Sequence, residues 1–431
     1  MLMFGCVFGL FAVGVPIAFS LLIVGIGFTF FLWGPSHLYM AASSTFGMMR
    51  TPLFVAIPLF ILMGNVLAYT GIAEELYTAL YYWVGRLRGG LAMGTIAVGA
   101  IFAAMCGTIE VGTLTVGIMA LPAMDKRGYS KHIAIGSVAA GGLLGLLIPP
   151  SIAAICFAGV AGVSLGKLYF SMFIPGFLLA SIYIVYIGIR AYLQPRLCPA
   201  LRKEEAPSWR EKFKILRGVV LPLLVIVLVL GGIYSGTTTP TEAAGIGALS
   251  AFIVAIAKRR LNWQNLKDAL STTFRLVGMV AWFIMSIGVF VNAYNALGAP
   301  QMIERVVSTF PAGGLVIIIL MQLTIFLLGC IMEDFAIIML TTPIFVPIVT
   351  TLGFDPVWFG VLVMVNIQCA CLTPPFGISL FYMRSIIPPD IGMLDIYRGV
   401  APFVGLQIIC LLMVMFFPPI ATWLPSLIIA K

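Results

Sequence analysis

The chain has 431 residues, of which 61% are hydrophobic and only 9% are charged, and its formal net charge is +9. Soluble globular proteins carry about 25% charged residues, so this composition excludes a protein with one soluble hydrophobic core. The basic residues lie in short stretches between apolar segments, a pattern that reports orientation in a membrane rather than binding to nucleic acid. We therefore expect a polytopic membrane protein embedded in a lipid bilayer.

Long uncharged runs predict membrane-spanning helices, because about 20 apolar residues cross a bilayer. In chain order the runs are residues 1–49, 51–73, 132–166, 218–241, 276–303 and 399–430. The first run is longer than the core of a signal peptide and lacks a small-residue cleavage signal. We expect it to be retained as part of the membrane domain.

The first half, residues 1–189, contains a glycine-interrupted segment at 89–124. At 1.5 Å per helical residue, a segment of this length accommodates two helices that meet at a tip. The tip is predicted at Gly107 to Thr113, and it carries Glu110, which lipid would not tolerate. We therefore predict a re-entrant helical hairpin, followed by a helix at 132–167 that the Pro149-Pro150 pair breaks.

A basic cytoplasmic linker is predicted at 190–217, where eight basic residues stand against three acidic ones. The second half, residues 218–431, has the same order of elements as the first. Its predicted elements are a hairpin at 313–350, with its tip at Gly329 to Ala336, and a helix at 357–383 broken by Pro374-Pro375. The second tip carries Glu333 and Asp334.

An ordered series of glycine and proline pairs relates the two halves. Pairs at an offset of 225 are Pro122 with Pro347, Gly128 with Gly353 and Pro149 with Pro374, and Gly71 pairs with Gly298 at an offset of 227. About 20 basic residues fall on the predicted inner side, and four fall outside, namely Arg50, Lys167, Arg305 and Lys431. This charge asymmetry places the two hairpins on opposite sides of the membrane, so the halves are predicted to be repeats of inverted topology.

The tip carboxylates are candidate ion ligands, because neither tip contains a basic residue and a buried carboxylate needs a partner. Carbonyl and hydroxyl oxygens at broken helices suit a hard cation such as Na⁺. Candidate metal ligands are Gly107, Thr108, Glu110, Pro149, Pro150, Gly329, Glu333, Asp334, Thr373, Pro374 and Gly377. Candidate solute ligands are Glu110, Thr113, Ser151, Asp334 and Thr373.

A purely structural interpretation also exists for these polar residues. Each Ser or Thr hydroxyl can bond the carbonyl four residues earlier in its own helix. Glu242, in Thr239-Pro240-Thr241-Glu242, is typical of a helix N-terminus. The chain lacks a GxxxxGK[ST] phosphate loop, a His-Glu-x-x-His pair and a Gly-x-Ser-x-Gly elbow, so we expect neither an enzyme nor an organic cofactor.

The chain resembles the large membrane subunit of tripartite ATP-independent periplasmic (TRAP) transporters, the DctM-like family. The segments that carry the resemblance are Gly14-Val15-Pro16-Ile17-Ala18, Lys126-Arg127-Gly128-Tyr129, Leu144-Gly145-Leu146-Leu147-Ile148-Pro149-Pro150-Ser151, Ile174-Pro175-Gly176, Thr239-Pro240-Thr241-Glu242, Thr342-Pro343-Ile344 and Leu372-Thr373-Pro374-Pro375. The resemblance implies a sodium-coupled elevator importer in the inner membrane of a bacterium or archaeon. It also implies a periplasmic solute-binding protein, a small four-helix membrane subunit and an organic, commonly carboxylate, solute.

By the same resemblance, the hairpins and broken helices form the moving transport domain, and the other spans form a scaffold. The first tip differs from the family pattern, in which Gly-Ser-Ser stands where this chain has Gly107-Thr108-Ile109-Glu110. The second tip has Glu333 where the family usually has Asp, and Asp334 where a small hydroxyl residue is common. Such acids could alter ion stoichiometry, add proton coupling or accommodate a solute that is not a simple dicarboxylate.

Three alternatives are a receptor-independent ion-coupled organic-anion symporter, a channel and an intramembrane enzyme. The receptor-independent symporter would transport its solute without a binding protein. A channel would pass a current that saturates little with solute. Paired-carboxylate catalysis needs two acids that face each other. The adjacent Glu333 and Asp334 do not meet that requirement, which disfavours the enzyme.

Overall fold

The computed structural model describes residues 2–200, 209–299, 301–302, 313–375 and 377–429. All regular secondary structure in these ranges is helical, as the sequence predicts, because a helix satisfies its own backbone hydrogen bonds in lipid. Residues 201–208 of the predicted linker, and Arg305 and Lys431 of the predicted outer side, lie outside the described residues.

The helices before the linker are α1 (Leu2–Ala12), α2 (Ile17–Trp33), α3 (Tyr39–Met49), α4 (Ala56–Tyr69), α5 (Ile72–Val84), α6 (Gly90–Cys106), α7 (Ile109–Asp125), α8 (Lys131–Leu143), α9 (Ile152–Ala161) and α10 (Leu165–Leu193). Those after it are α11 (Trp209–Tyr234), α12 (Pro240–Ala257), α13 (Trp263–Ala296), α14 (Gly314–Gly329), α15 (Asp334–Thr351), α16 (Pro356–Leu372), α17 (Ile378–Ile386), α18 (Met393–Phe416) and α19 (Pro419–Ile429). Short 3₁₀ turns occur at Pro35–Leu38, Pro52–Val55, Leu144–Leu146 and Pro195–Leu197.

Six helices in the described ranges are long and apolar enough to cross a membrane. They are Pro52–Tyr69, Leu165–Leu193, Pro240–Ala257, Trp263–Ala296, Asp334–Thr351 and Met393–Phe416. Several shorter apolar helices accompany them, among which are the halves of the interrupted segments. The chain is therefore a multi-pass membrane protein.

Helix boundaries differ from the sequence-based expectation at several points. The first apolar run is divided into α1, α2 and α3, because Pro16 and the left-handed Gly34 (φ +83°) interrupt it. The predicted linker at 190–217 is helical at both ends, because α10 continues to Leu193 and α11 begins at Trp209. The predicted broken helix at 132–167 ends at Ala161, since α10 begins at Leu165.

The helices of each interrupted segment form a hairpin that packs against other interrupted helices. Helices α6 and α7 contact each other and are joined at Gly107 and Thr108, while α14 and α15 are joined at 330–333. Helix α9, beyond the first Pro-Pro break, packs against α15, and α17, beyond the second break, packs against α7. Each hairpin therefore contacts a broken-helix segment from the other half of the chain.

A second group of helices packs beside the interrupted segments. Helix α13 contacts α2, α3 and α4, and α4 also contacts α12. This group meets the interrupted segments where α13 contacts α15 and where α4 contacts α6 and α7. At its N-terminus, α12 has a capping box in which Glu242 Oε2 accepts a hydrogen bond from the Thr239 N–H at 2.8 Å, which confirms the structural interpretation of Glu242.

Basic residues from separate stretches meet on one face of the molecule. Glu75 of α5 pairs with Lys258 and, at 3.2 Å, with Arg260. At the other end of α5, Lys212 lies 5.7 Å from the Trp83 ring centre and Arg127 lies 5.6 Å from that of Tyr81. Helix α5 thus ties together the ends of α7, α11 and α12 that the charge pattern predicts to be cytoplasmic.

Candidate functional site

The first hairpin tip is pressed against the first Pro-Pro break. Gly107 ends α6 in the left-handed conformation (φ +63°), and a Cβ atom there would lie 2.4 Å from the Pro150 carbonyl oxygen. The Ile152 N–H donates a hydrogen bond to the Gly107 carbonyl at 3.3 Å. Only glycine fits this conformation and this close approach, so the tip and the break present backbone oxygens side by side.

Two threonines of the first hairpin have unpartnered hydroxyls. Thr108 is 8% exposed and Thr113 is fully buried, and neither Oγ1 atom has a hydrogen-bond partner among the residues that the structure describes. A Cβ atom at Gly142 would lie 2.2 Å from Thr113 Oγ1, so a glycine of α8 makes room for this hydroxyl. Buried polar atoms are normally hydrogen-bonded, and these two oxygens are therefore suited to a ligand.

Other predicted hydroxyl ligands are engaged locally. Ser151 caps α9, because its Oγ accepts from the Ala154 N–H at 3.4 Å and donates to the Leu146 carbonyl at 2.8 Å. Thr373 Oγ1 donates to the Cys369 carbonyl at 2.7 Å, four residues earlier in α16. The structural interpretation thus applies to both, although each oxygen keeps a lone pair that can still bind a cation.

The second tip is shorter than predicted, because it spans residues 330–333 rather than Gly329 to Ala336. Helix α14 ends at Gly329, where a Cβ atom would lie 2.1 Å from Ala370 Cβ of α16, and α15 begins at Asp334. Glu333 is the N-cap residue of α15 but makes no side-chain capping bond, and Asp334 in the first turn is 7% exposed. A helix N-terminus favours a carboxylate, so the fold supports Asp334 at this position.

The second Pro-Pro break also gathers carbonyl oxygens. A Cβ atom at Gly377 would lie 2.8 Å from the Cys371 carbonyl and 2.9 Å from the Thr373 carbonyl. Both Pro-Pro bonds are cis, but Pro149 and Pro150 are buried whereas Pro374 and Pro375 are exposed. The two breaks therefore share their backbone form and differ in their surroundings.

Tyr382 of α17 lies within electrostatic range of the predicted carboxylates Glu110, Glu333 and Asp334. Helix α17 packs against α7 of the first hairpin, so a residue of the second half lies beside the first hairpin. Among the described residues, no group of three His, Cys, Asp or Glu side chains is placed to hold a metal, so a cation here needs carbonyl and hydroxyl ligands.

Sequence reasoning missed Arg275. The charge pattern predicts only that Arg275 is on the inner side, whereas the structure places it on α13, twelve residues after the start of this 34-residue candidate span. Arg275 interacts electrostatically with Glu110. A helix start at Asn262, which caps α13 through its side chain, was the local signal that could have placed Arg275 on the helix.

Within the described part of the chain, the buried hydroxyl of Thr342 also has no hydrogen-bond partner, and the same holds for the side-chain polar atoms of Gln368 and Ser379. These residues lie on α15, α16 and α17, the helices that form the second tip and break. Thr342 lies in the segment Thr342-Pro343-Ile344 that carries the family resemblance, whereas Gln368 and Ser379 carry no sequence signal beyond being polar within an apolar run.

Comparison with known proteins identifies the family. Residues 4–420 match the family model of the tripartite ATP-independent periplasmic transporter, DctM component. The chain is 30% identical to the C4-dicarboxylate TRAP transporter large permease protein DctM of Vibrio cholerae, with 99% of this chain and 97% of the relative covered. It is 31% identical to the sialic acid TRAP transporter large permease protein SiaM of the same organism, with 99% of each chain covered.

A third relative, the ectoine TRAP transporter large permease protein TeaC of Halomonas elongata, is 27% identical, with 99% of each chain covered. Among solved structures, the YdaH transporter of Alcanivorax borkumensis matches with a TM-score of 0.64, 16% identity and 90% of each chain covered. That likeness is one of fold. The full-length matches to transporter permeases, rather than to enzymes, place this chain in the DctM family of TRAP transporter large permeases.

Proposed function

We propose that this chain is the membrane translocation subunit of a sodium-coupled importer of an organic solute. The observation that carries the proposal is that each hairpin tip packs against a Pro-Pro break or the helix leading into it, where backbone carbonyls and buried, unpartnered hydroxyls occur. At the first tip these are the Pro150 carbonyl and the hydroxyls of Thr108 and Thr113. At the second they are the carbonyls of Cys371 and Thr373 with the hydroxyl of Thr342.

Sodium suits these groups better than a transition metal does. Hard cations are held by oxygen ligands, whereas softer metals favour thiolate and imidazole. The carboxylates of Glu333 and Asp334 at the second tip supply negative charge near the oxygen-rich region. In this proposal, Na⁺ enters with the solute and its electrochemical gradient drives accumulation.

The transport step is proposed to be an elevator movement of the interrupted helices against the remaining spans. The inverted repeats predicted from the sequence support this mechanism, because such repeats allow two equivalent conformations that open to opposite sides. Two glycine pairs from the predicted repeat have the same left-handed backbone, namely Gly71 with Gly298 (φ +69° and +71°) and Gly128 with Gly353 (φ +70° and +78°).

The partners and solute follow from the family. We propose that a small membrane subunit completes the membrane complex in the inner membrane and that a periplasmic binding protein delivers the solute. The three relatives described above are named for C4-dicarboxylates, sialic acid and ectoine, all of which carry a carboxylate group. We infer an organic solute with at least one carboxylate.

Uptake by the reconstituted complex tests this function. The large and small subunits are placed in proteoliposomes, and the solute retained by the purified binding protein is supplied in radiolabelled form. We expect accumulation only with the binding protein and an inward Na⁺ gradient, and little with K⁺ in place of Na⁺. Accumulation without the binding protein would instead support the receptor-independent symporter, and indifference to both components would refute the proposal.

A further inference from the structure

The two hairpins pack against the helices before the Pro-Pro breaks in different ways. In the first half, both arms meet adjacent glycines of α8. A Cβ atom at Gly99 of α6 would lie 2.5 Å from the Gly141 carbonyl oxygen, and one at Gly142 would lie 2.6 Å from the Cα atom of Thr113 in α7. The backbones of α6, α7 and α8 are therefore in direct contact, with no space for a side chain between them.

The second half has larger side chains at the equivalent positions. At the repeat offset of 225, Gly141 and Gly142 correspond to Asn366 and Ile367 of α16. Asn366 is 1% exposed, and its Nδ2 donates to the Gln322 carbonyl at 2.6 Å and to Gln322 Oε1 at 2.8 Å. At this level α14 is therefore held to α16 by the contact between Asn366 and Gln322, here called the amide latch.

The amide latch leaves two buried polar atoms unpaired. A backbone carbonyl only accepts, so its bond fixes the Asn366 amide with Nδ2 toward Gln322. The remaining acceptor, Asn366 Oδ1, and the remaining donor, Gln322 Nε2, have no hydrogen-bond partner in the part of the chain that the structure describes. Burial of such atoms raises the free energy of the closed arm, and water that entered between α14 and α16 would lower it.

The first arms of the two hairpins also differ in burial. In α6, thirteen of seventeen residues are buried, and the helix packs against α4, α5, α8 and α10 as well as its partner arm. In α14, five of sixteen residues are buried, along the single stripe Ile318, Met321, Gln322, Ile325 and Gly329. The opposite face of α14, which carries Leu320, Leu323 and Leu327, is exposed.

The second arm of the second hairpin is held more firmly than its first arm. In α15, twelve of eighteen residues are buried, and the helix packs against α9, α13 and α16. Helix α14 packs against α15 and α16. A sideways movement of α14 therefore disturbs less packing than a movement of α15 would.

The tips differ in the same direction as the arms. At the first tip, the Ile152 N–H donates to the Gly107 carbonyl at 3.3 Å, which ties the tip to the helix beyond the break. At the second tip, the backbone hydrogen bonds of residues 330–333 that the structure describes all stay within the hairpin. The second tip is therefore less firmly attached to its break than the first.

The linker also fixes the base of the first hairpin. The Gly89 N–H, at the start of α6, donates to the Cys198 carbonyl at 3.1 Å. The Ser130 N–H, shortly after the end of α7, donates to the Leu197 carbonyl at 2.9 Å. The first hairpin is thus held at its base, along both arms and at its tip.

We propose that α14 is a gate, which swings away from α16 when the amide latch opens, while the first hairpin stays closed on α8. The inference rests on the proposed transport function and assigns opening of the second tip and break to one helix. The charge pattern places the second hairpin on the predicted outer side. The gate therefore controls access to the second tip from that side.

Reaction of buried thiols with a water-soluble reagent tests the gate. Ile325→Cys reports on α14, and Ile96→Cys is the matched control on α6. Both native side chains are fully buried; Ile325 belongs to the buried stripe of α14, and Ile96 lies against Gly141. The full chain in lipid nanodiscs is treated with ethyltrimethylammonium methanethiosulfonate, and the labelled residues are identified by peptide mass spectrometry.

The rate of labelling follows the population of the open arm. We expect Ile325→Cys to react at least about tenfold faster than Ile96→Cys, the ratio that one additional buried hydrogen-bonded contact would produce. Equal rates at the two positions would overturn the proposal.

Two latch variants test the cause of the difference. Asn366→Leu removes the donor to Gln322, so labelling of Ile325→Cys should become about tenfold faster. Combining Gln322→Leu with Asn366→Leu replaces both amides by apolar groups, a change that is near neutral or stabilising in a buried setting. Labelling should then return to the parent rate or fall below it. A double variant that reacts as fast as Asn366→Leu alone would overturn the role of the latch.

Cys106, at the end of α6 and 2% exposed, is the internal control for general loosening of the fold. It should stay unlabelled in every variant, and labelling of Cys106 together with Ile325→Cys would overturn the proposal. An Ile325→Cys rate that Asn366→Leu leaves unchanged would do the same. If Ile325→Cys does not fold, Met321→Cys on the same stripe replaces it. These outcomes need neither the binding protein nor a sodium gradient, so they are distinguishable from failure of the uptake assay.

Discussion

Replacing Gly107 with Ala should weaken sodium binding at the first hairpin tip by about tenfold or more. The new Cβ atom would lie 2.4 Å from the Pro150 carbonyl oxygen, about 1 Å short of ordinary van der Waals contact. Both groups are backbone, so neither can rotate away. The tip must therefore move away from the break by about 1 Å, the shortfall in this contact.

A displacement of this size is enough to remove an oxygen from the ligand shell of a cation. One lost interaction with a charged group costs about 1.5 kcal/mol, which corresponds to roughly a tenfold loss of affinity. The left-handed backbone at Gly107 adds about 1–2 kcal/mol of strain for any residue with a Cβ atom. That second cost lowers the stability of the folded chain whether or not sodium is bound.

Gly128→Ala separates the two effects. Gly128 has the same left-handed backbone (φ +70°), but a Cβ atom there would have nothing within 4 Å. Thermal unfolding of each purified variant is measured over a range of NaCl at constant ionic strength. Both variants should lose a little Tm, while only Gly107→Ala should need about tenfold more Na⁺ for half-maximal stabilisation; equal sodium midpoints would refute the reasoning.

Two stability predictions concern polar contacts away from the tips. Glu75→Gln should destabilise the chain by about 1–3 kcal/mol, because it leaves the mostly buried Lys258 without its charge partner. The control Glu74→Gln, at an exposed position, should change the Tm little. Equal losses of stability in the two variants would contradict the prediction for Glu75. Asn366→Ala should cost about 1–3 kcal/mol, since it removes the donor that bonds Gln322 Oε1 at 2.8 Å in a buried setting, and an unchanged denaturation curve would contradict the second.

The breaks in the helices could be predicted from sequence because their causes are local. A left-handed glycine at Gly107 and a proline pair at Pro149 and Pro150 interrupt a helix wherever they occur. The structure places each interruption close to the predicted position, although Ile109 to Thr113 belong to α7 rather than to the tip. A helix extends into such a tip as far as its backbone hydrogen bonding permits. A sequence motif does not reveal the residue at which that helix begins.

The surroundings of the carboxylates could not be predicted, because they depend on contacts between distant segments. Sequence reasoning found Glu110 but no basic partner, since Arg275 lies on α13 and approaches only through packing. The orientation of Asn65 depends on the hydroxyl of Thr273, 208 residues away. Likewise, no pattern distinguishes the unpartnered Thr113 hydroxyl from that of Thr341, which bonds the Ile337 carbonyl at 2.7 Å.

Binding of radioactive Na⁺ to the purified membrane complex tests the central claim most directly. The account predicts saturable, sodium-selective binding that falls by about tenfold in affinity when Thr108 and Thr113 are both changed to Val. The matched variant Thr341→Val should bind as the parent does, because that hydroxyl is already bonded within its helix. Unaltered binding in the double variant, or no selectivity for Na⁺ over K⁺, would contradict the claim that the first tip and break hold the coupling ion.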